Sequence, residues 1–429
     1  MRLKSIELIN YRCYQDFKVD FGPGFNVIAG INGSGKTSLL KSIRDALAVN
    51  VSRLSPSLSS LAHPFIDGDP AYVRGDEVNG RWRFEPQYPV RVIAQAELLN
   101  RRFTWSIEHR DASGQESPRE SIPFDAITQA AHVSEHITYP LFAFYPTSRA
   151  WALAPTNEVA AATRTLPRVA GYEIWWDASA NADALQQWSI AKTMERLQFA
   201  SDSALAWDSV IDDELAITNR ALSAVFDDAK GLRYDFAQKS LTIEWIGAKA
   251  PTLYKNLSDG ERVAIALVSD IARRMCLLNP HLATEVARQT PGVVLIDELD
   301  IHLHPTWQRL IVRGLTKAFP MIQFIATSHS PHVLSELRPE HIILLTHDGA
   351  SRPQASYGLD ANRVLAQIMD AGTRPTEVEK SLSELFTLIE QNELSRARSQ
   401  LEHLKTSIPG LPELAGAEAL IRRKEVIGR

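Results

Sequence analysis

The chain has 429 residues, of which 45% are hydrophobic and 23% charged; this composition is typical of a soluble globular protein, and the length suffices for one large core or two smaller ones. Only two cysteines, Cys13 and Cys276, exclude a disulfide framework and fit a reducing cytoplasm, while the charged N-terminus and the short apolar runs predict neither a signal peptide nor a membrane span. The net charge of -5 gives no overall attraction to nucleic acid, so any such contact needs a local basic patch.

The N-terminal segment predicts a β-hairpin followed by a nucleotide-binding unit. Residues 3–8 and 17–21 alternate apolar and polar side chains as two strands, and a polar turn around 11–16 joins them. An apolar strand, Phe25–Ala29, then leads into a glycine-rich loop and a helix that runs to about Val49. This order of strand, loop and helix is typical of a P-loop unit.

The loop Gly30–Thr37 fits the pattern G-x-x-x-x-G-K-[ST]. Its glycines let backbone N–H groups turn toward a β-phosphate, and the helix N-terminus adds partial positive charge. Lys36 is expected to reach the β- and γ-phosphates, and the Thr37 hydroxyl to bind Mg²⁺. A glycine-rich turn without a ligand is the alternative, which the flanking strand and helix disfavour. The predicted ATP-binding residues are Gly30, Asn32, Gly33, Ser34, Gly35, Lys36, Thr37 and Ser38.

The next 130 residues carry weaker patterns. Ser, Pro, Gly and Asp dominate residues 51–80, which predicts an irregular or mobile excursion. Alternating stretches at 81–94 and 103–110 predict a second β-hairpin, and Leu141–Tyr145 predicts a buried strand. Residues 150–175 are loop-like in composition.

The second half of the chain alternates helix and strand, which favours a parallel α/β core. A helical pattern over 182–229 precedes it, and beyond Arg374 the tail predicts a helical pair broken at Pro409–Pro412. The elements predicted between these two regions are strands at 232–236 and 241–246, a helix after Glu261, a strand at 293–296, a helix at 306–319 and a strand at 323–326.

The strand Val293–Ile296 ends in two acids, which is the form of a Walker B element. Asp297 is expected to hold Mg²⁺ and Glu298 to act as the general base toward the attacking water. Acids also occur at the end of buried parallel strands for structural reasons alone. The preceding P-loop favours the catalytic interpretation.

The segment Leu257–Arg262 precedes an apolar helix, and Ser258 and Glu261 have the spacing of a capping box. The same segment resembles the LSGGQ signature of ABC-type ATPases, with Asp259 and Glu261 in place of Gly and Gln. The resemblance implies that this motif, Ser258, Asp259, Gly260 and Glu261, stabilises the γ-phosphate held by the opposite subunit.

His329 comes just after the strand that follows the Walker B element, and it matches the switch histidine of ABC-type ATPases. It is the second predicted catalytic residue. Without this order of motifs, a lone histidine after a strand would be expected to be structural. Asp300 occupies the position of the D-loop, which crosses the dimer interface in that family. His302 and His304 have a spacing that can ligate zinc, but a D-loop that ends before a helix starting at Pro305 explains them better.

The order of motifs resembles the RecF, SMC and OLD branch of ABC ATPases, and more closely the Septu-type and retron-associated ATPases named PtuA. The opening segments Leu8–Arg12 and Phe25–Gly30 resemble the start of that branch. Segments that resemble the Septu group are Leu257–Arg262, Trp307–Arg309, Phe319–Pro320, Gln323–Ile325, Tyr357–Asn362 and the tail Leu382–Leu404. The resemblance is weakest over 51–230, and no glutamine can be placed in a Q-loop, where Phe144–Arg149 offers Ser and Arg.

The resemblance implies an α/β fold, an ABC-type P-loop ATPase head with a mixed sheet, a helical insert and a C-terminal helical extension. The expected head is residues 1–149 and 231–372, the loop and helical insert 150–230, and the extension 373–429. The implied ligands are ATP and Mg²⁺, and the implied assembly is a homodimer around two ATPs, with higher oligomers left open. The implied partner is an HNH nuclease encoded alongside, and the implied role is anti-phage defence in the cytoplasm, without a membrane.

Three rival functions stay open at this stage. A RecF-like DNA-repair ATPase would clamp DNA directly, which a basic face near Arg149, Arg164 and Arg168 would favour. A transporter subunit would need a membrane partner, and a scaffold would bind ATP with hardly any hydrolysis. The residues after His329 lack the Asp-x-Asp cluster of OLD-type nucleases, so the chain itself is not expected to cut nucleic acid. The Trp175–Trp176 pair is expected to pack in a core, with base stacking as the alternative.

Overall fold

The computed structural model describes the chain except for residues 55–64, 66, 113–122, 134–135, 150, 152–155, 347–348, 370–373 and 428–429. The chain has two compact units, Met1–Val364 and Leu365–Arg429. The strands are β1 (Arg2–Tyr11), β2 (Tyr14–Asp20), β3 (Phe25–Gly30), β4 (Tyr72–Val78), β5 (Arg81–Gln87), β6 (Val90–Leu98), β7 (Arg101–His109), β8 (Leu141–Tyr145), β9 (Ala229–Asp235), β10 (Ser240–Trp245), β11 (Thr252–Leu253), β12 (Gly292–Ile296), β13 (Ile322–Thr327), β14 (Ile342–Thr346) and β15 (Gly349–Ser351). The helices are α1 (Lys36–Val51), α2 (Pro123–Val133), α3 (Glu158–Thr163), α4 (Ala182–Asp202), α5 (Glu214–Val225), α6 (Asp259–Leu278), α7 (Val286–Gln289), α8 (Pro305–Ala318), α9 (Pro331–Ser335), α10 (Ala361–Gln367), α11 (Thr376–Glu390), α12 (Leu394–Ser407) and α13 (Pro412–Ile427).

A six-stranded sheet in the order β15-β14-β3-β13-β12-β8 forms the centre of the first unit. All its neighbouring strands are parallel except the edge pair β14 and β15. Every residue of β3, β8, β12 and β13 is buried, which explains why these strands are continuous apolar runs without alternation. Because the carboxyl ends of parallel strands meet at one edge, the segments that follow β3, β8, β12 and β13 converge there.

A second sheet, β2-β1-β6-β7, is antiparallel, and its strand β6 alternates buried and more exposed side chains, as expected for one face on a core. That face lies on α1, where the Trp105 indole donates to the Ala46 carbonyl at 2.7 Å. Gln323 of β13 joins the two sheets through hydrogen bonds with the backbone of Leu3, at 2.7 and 2.9 Å. The predicted N-terminal hairpin, β1 with β2, is therefore confirmed.

Helix α6 is buried along almost its whole length and carries an ionic cluster in its centre. Asp270 accepts hydrogen bonds from Arg273 and Arg274 and also from the hydroxyl of Tyr145 at the end of β8, at 2.6–2.9 Å. Burial alone would raise the pKa of Asp270, but Arg274 and Arg273 outweigh it and hold the pKa below the ordinary 3.8. The cluster therefore stays ionised at neutral pH.

Exchanging Asp270 for Asn is expected to lower the free energy of unfolding by about 3–5 kcal/mol, because removal of one member of a buried pair leaves unpaired charges. Since the pKa of Asp270 is depressed, this contribution is present above pH 3.8 and is lost as the pH falls through the lower folded value. Urea unfolding measures it. The control is Asp208→Asn, which breaks an exposed ion pair with Lys230 at 3.1 Å; here we expect the free energy of unfolding to fall by less than about 1 kcal/mol. Equal losses of unfolding free energy in the two variants would contradict the stabilising role of the buried Asp270 cluster.

Two of the weaker predictions in the first half are wrong in detail. The stretch 51–80 contains strand β4, which pairs with β5 to form an exposed two-stranded ribbon; its residues 55–64 and 66 lie outside the described part. The hairpin predicted from 81–94 and 103–110 is divided between two separate strand pairs, because β5 pairs with β4 whereas β6 pairs with β7. The alternation continues through the break between β5 and β6, so periodicity alone could not separate them.

The helical stretch predicted over 182–229 is two helices, α4 and α5, since a turn and a 3-10 helix at Trp207–Ser209 interrupt it. The loop predicted over 150–175 holds helix α3 and a 3-10 helix at Arg168–Tyr172; its residues 150 and 152–155 fall outside the described ranges. Trp175 is buried and its ring lies 6.2 Å from that of Phe142, which confirms the packing predicted for this residue.

In the second unit, Leu365–Arg429, the described residues beyond Arg374 form three helices in place of the predicted pair. The break near Pro409 is confirmed, and a second break at Gln391–Glu393 separates α11 from α12, with Asn392 in the left-handed region at φ 64°. Asparagine tolerates this conformation better than most residues, so Asn392 is the local signal for the extra turn. The core of the unit consists of Leu382, Leu385, Ile389, Ala397, Leu401, Leu404, Leu414, Ala417 and Ile421.

Candidate active site

The glycine-rich loop connects β3 to α1 at the edge where the central strands end. Gly35 precedes α1 with φ 95°, and a side chain there would meet Tyr14 Oη at 2.5 Å and Cys13 Sγ at 2.7 Å, so only glycine fits. No side chain caps the N-terminus of α1, whose first N–H groups are thus left for a ligand. The Ser34 hydroxyl is buried and has no hydrogen-bond partner within the described part of the chain. These features fit a loop that encloses an anion.

Lys36 lies inside this loop. Its ammonium donates to the carbonyls of Gly30 at 3.0 Å and Ile31 at 2.8 Å, and only 7% of the residue is exposed. Burial lowers the pKa of Lys36, and the nearby Asp297 and Glu298 act in the opposite direction. A buried cation next to unoccupied N–H groups is the electrostatic arrangement that a phosphate group requires.

The Asp297 carboxylate follows β12 and accepts hydrogen bonds from three hydroxyl groups. Thr37 of α1 donates at 3.0 Å, Thr147 after β8 at 2.9 Å, and Thr327 at the end of β13 at 2.7 Å. The structure thus brings together the two residues predicted to bind the metal, Thr37 and Asp297. Hydroxyl and carboxylate oxygens are the ligands that Mg²⁺ prefers, so this pair fits that ion.

Glu298 is half-buried, and its backbone has φ 49°, a left-handed conformation that is unusual for this residue type. Its N–H donates to the Thr327 hydroxyl at 2.6 Å. Glu298 therefore lies beside Asp297 at the sheet edge, next to the end of β13. This is the position that the sequence predicted for a general base.

His329 and Asp300 come together on the same edge. The His329 backbone N–H donates to Asp300 Oδ1 at 3.3 Å, and the imidazole is half-buried. Burial and the Lys36 cation lower the pKa of His329, while Asp300, Glu298 and Asp297 oppose this shift. The imidazole is therefore neutral at pH 7 and can accept or donate a hydrogen bond.

His329 is expected to titrate below pH 6.5, its ordinary value, in the protein without nucleotide. The variant Lys36→Met is expected to raise this pKa, because the change removes a neighbouring positive charge. NMR titration of the imidazole signals measures both values, and a His329→Asn variant assigns the resonance. A midpoint at or above 6.5, or one that the Lys36 substitution leaves in place, would contradict this electrostatic description.

The signature segment forms the N-terminus of α6. Ser258 and Glu261 make the predicted capping box: the Ser258 N–H donates to Glu261 Oε2 at 2.9 Å, and the Glu261 N–H donates to Ser258 Oγ at 3.3 Å. A Cβ atom at Gly260 would lie 2.0 Å from the carbonyl oxygen of His302, so this glycine lets α6 contact the D-loop segment. Asp259 is exposed and pairs with Arg262. Among the described residues, no hydrogen bond or ion pair joins this segment to the P-loop of the same chain.

His304 caps α8, with its Nδ1 accepting from the Thr306 N–H at 3.4 Å, and α8 starts at Pro305 as predicted. His302 is exposed in a left-handed turn at φ 61°. Within the described ranges no group of three or more His, Cys, Asp or Glu side chains could hold a metal ion. Both histidines are thus accounted for by the turn before α8.

Two family models match the chain: an AAA domain over residues 5–203, and an "AAA domain, putative AbiEii toxin, Type IV TA system" over 181–335. The Retron Vc95 probable ATPase of Vibrio cholerae is 28% identical and aligns with 95% of this chain and 85% of its own length. The Retron Ec83 probable ATPase of Escherichia coli is 25% identical, with shares of 88% and 78%. The Septu protein PtuA of Bacillus thuringiensis is 36% identical over 22% of this chain and 28% of its own length. The chain is thus similar along most of its length to the retron ATPases and over a shorter stretch to a Septu protein, which is consistent with a PtuA-like ATPase.

The predicted α/β fold, a P-loop ATPase head with a mixed sheet, is confirmed. Strand β13 lies between the P-loop strand β3 and the Walker B strand β12, and the signature helix α6 precedes β12 in the chain. The SMC head domain from Thermotoga maritima is 15% identical, with a TM-score of 0.45 over 82% of this chain and 98% of that chain.

Three residues of this site have no role predicted from the sequence. Thr147 and Thr327 bind the Asp297 carboxylate, and Arg149 donates to the carbonyl oxygens of Asp297 and Glu298. The only sequence signal for them is their position directly after a buried strand, at β8 and at β13. Their contacts depend on the pairing of β8 with β12 and of β12 with β13, which the sequence does not specify.

The basic face considered for DNA binding does not exist in this form. Arg149 is only 4% exposed. Arg168 donates to the carbonyls of Ile137 and Leu278, and Arg164 donates to Gln187. Arg149 and Arg168 thus serve internal contacts, because backbone carbonyls in this region need donors and these two guanidinium groups supply them. Arg164 is exposed, and its contact is with the side chain of Gln187.

Proposed function

We propose that this chain binds and hydrolyses ATP as the ATPase subunit of an anti-phage defence system, and that it dimerises around two ATPs to control a partner nuclease. The observation that carries the ATPase part is the convergence of the P-loop, Asp297, Glu298 and His329 at one sheet edge, with Thr37 bonded to Asp297 at 3.0 Å. The names of the retron and Septu relatives support the biological part.

In the proposed reaction the glycine-rich loop Gly30–Thr37 binds the phosphates of ATP: Lys36 contributes its ammonium group, and the other loop residues contribute backbone N–H groups. Thr37 and Asp297 would hold Mg²⁺, which when bound neutralises charge on the phosphates. Glu298 accepts a proton from the attacking water, and neutral His329 hydrogen-bonds to the γ-phosphate region. Hydrolysis then yields ADP and phosphate.

The signature segment is proposed to act on the ATP of a second copy. Ser258 is exposed at the N-terminus of a 20-residue helix, where the helix dipole favours an anion. The segment has no bond to its own P-loop within the described ranges, which supports a partner's phosphate as its target. Asp300 accepts a hydrogen bond from the His329 N–H, and His302 of the same segment lies against Gly260, which supports a D-loop that links the two sites. The proposed assembly is a two-fold dimer with two equivalent composite sites.

The partner is proposed to be a small HNH nuclease, and cleavage of nucleic acid is assigned to that partner and not to this chain. No helix in the described part of the chain is long and apolar enough to cross a membrane. A transporter role would require a membrane-embedded partner, whereas the retron and Septu relatives support a defence role.

The test is affinity purification of a tagged Glu298→Gln variant from the native host with Mg-ATP, followed by identification of what co-purifies. We expect a dimer that carries an HNH nuclease in fixed ratio. The matched control is tagged Lys36→Met, which should retain less ATP and form fewer ATP-dependent homodimers than Glu298→Gln. Recovery of a dimer that holds DNA and no nuclease would favour a RecF-like repair ATPase and would overturn the defence assignment.

A further inference from the structure

Arg149 is a buried charged residue that has no role in the proposed steps of nucleotide binding and hydrolysis. It lies four residues after the tyrosine that ends β8 and is 4% exposed. One guanidinium nitrogen donates to the carbonyl oxygens of Pro146 and Asp297, and the other donates to that of Glu298 at 2.6 Å. A single side chain thus holds two consecutive carbonyls of the segment that follows the Walker B strand.

This contact matters because the held backbone is strained. Glu298 has φ 49°, a left-handed conformation that a residue of this type adopts only where its surroundings enforce it. The Glu298 N–H is fixed by Thr327 at 2.6 Å, and its carbonyl is fixed by Arg149. The direction of the Glu298 side chain follows from the orientation of this peptide. Arg149 and Thr327 together therefore hold the backbone from which the Glu298 side chain projects.

The chemistry of arginine suits this position better than that of lysine. The planar guanidinium presents several N–H donors in a fixed fork, so it can serve both carbonyls at once, whereas an ammonium is a compact point charge. Burial lowers the pKa of Arg149 to about 10, against the opposing charges of Asp297, Asp300 and Glu298, so the group is still protonated at neutral pH. Both donors are thus available under working conditions.

We propose that Arg149 is a positioning residue that orients Glu298 for proton transfer. The inference rests on the proposed function, in which Glu298 is the general base. Thr147, two residues earlier, donates to the Asp297 carboxylate at 2.9 Å. The short segment after β8 therefore holds the side chain of the proposed metal ligand and the backbone of the proposed base, and it fixes their relative geometry.

The test is a double-mutant cycle of Arg149→Met with Glu298→Gln, read as single-turnover ATP hydrolysis at saturating Mg-ATP. Arg149→Met alone is expected to lower the hydrolysis rate by roughly 100-fold, since a misplacement of about 1 Å costs that much, with unchanged ATP affinity. In the Glu298→Gln background it is expected to cause no further loss, because the residue acts only through Glu298. Arg149→Lys should recover part of the rate, since one carbonyl regains a donor.

The outcomes separate this inference from the proposed function. If Glu298→Gln leaves turnover unchanged, the assignment of the base is wrong and the inference falls with it. If Glu298→Gln lowers turnover as expected, the positioning role alone is overturned by either of two results. In the first, Arg149→Met has no effect; in the second, it lowers the hydrolysis rate further in the Glu298→Gln background. Weaker ATP binding in Arg149→Met would mean a structural role for the whole loop. Should Arg149→Met fail to fold, the cycle is run with Arg149→Lys, for which a smaller but equally non-additive loss is expected.

Discussion

Exchanging Glu298 for Gln is expected to lower the rate of ATP hydrolysis by about 10²- to 10⁴-fold, the usual contribution of a general base. Glutamine keeps the size and shape of the side chain but cannot take a proton from water. Because the neighbouring Asp297, Thr37 and Lys36 are untouched, ATP affinity should stay near the wild-type value. The variant should therefore retain ATP and accumulate in the nucleotide-bound form.

Steady-state phosphate release and equilibrium binding of labelled ATP measure the two parts of this prediction. Glu336→Gln is a suitable control, because it removes an exposed carboxylate outside the site, whose ion pair with Arg309 is 4.0 Å long. The control should hydrolyse ATP at the wild-type rate. Unaltered turnover in Glu298→Gln would show that another group is the base, or that turnover comes from a contaminant.

Exchanging Lys36 for Met is expected to weaken ATP binding by roughly 10- to 100-fold, since a hydrogen bond to a charged group contributes about 1.5–3 kcal/mol. The ammonium lies inside the loop, and its present partners are the carbonyls of Gly30 and Ile31, which a phosphate can replace. Hydrolysis at saturating ATP should also fall. Lys18→Met removes an exposed cation at 58% side-chain exposure and is the control, with no change expected in ATP affinity. Equal affinity in both variants would contradict the role of Lys36.

The part of the site that a contiguous motif encodes could be predicted from the sequence. A P-loop needs its glycines, lysine and threonine at fixed spacing because one short loop must wrap one phosphate, so Gly30–Thr37 was placed with its strand and helix. The same holds for the strand that ends in Asp297 and for the capping box at Ser258. In each case the physical requirement is local in the chain.

Contacts set by the pairing of distant strands could not be predicted in this way. Arg149 reaches the carbonyls of Asp297 and Glu298 only because β8 pairs with β12 in one register, with Tyr145 opposite Ile296. The separation of β5 from β6 likewise depends on which partner each strand finds, and apolar and polar residues alternate on both sides of the break. The third C-terminal helix was missed because only Asn392 marks the turn before it.

If each ATP site is built from two copies of the chain, two inactive variants with defects in different halves of the site should complement each other when they are mixed. Lys36→Met disables the P-loop, and Ser258→Arg places a bulky cation at the signature helix. Each variant alone should be inactive. Co-expressed, they should regain hydrolysis, because each mixed dimer has one intact site, up to roughly a quarter of all sites after random pairing. Activity no greater than the sum of the separate variants, with mixed dimers present, would contradict the composite site.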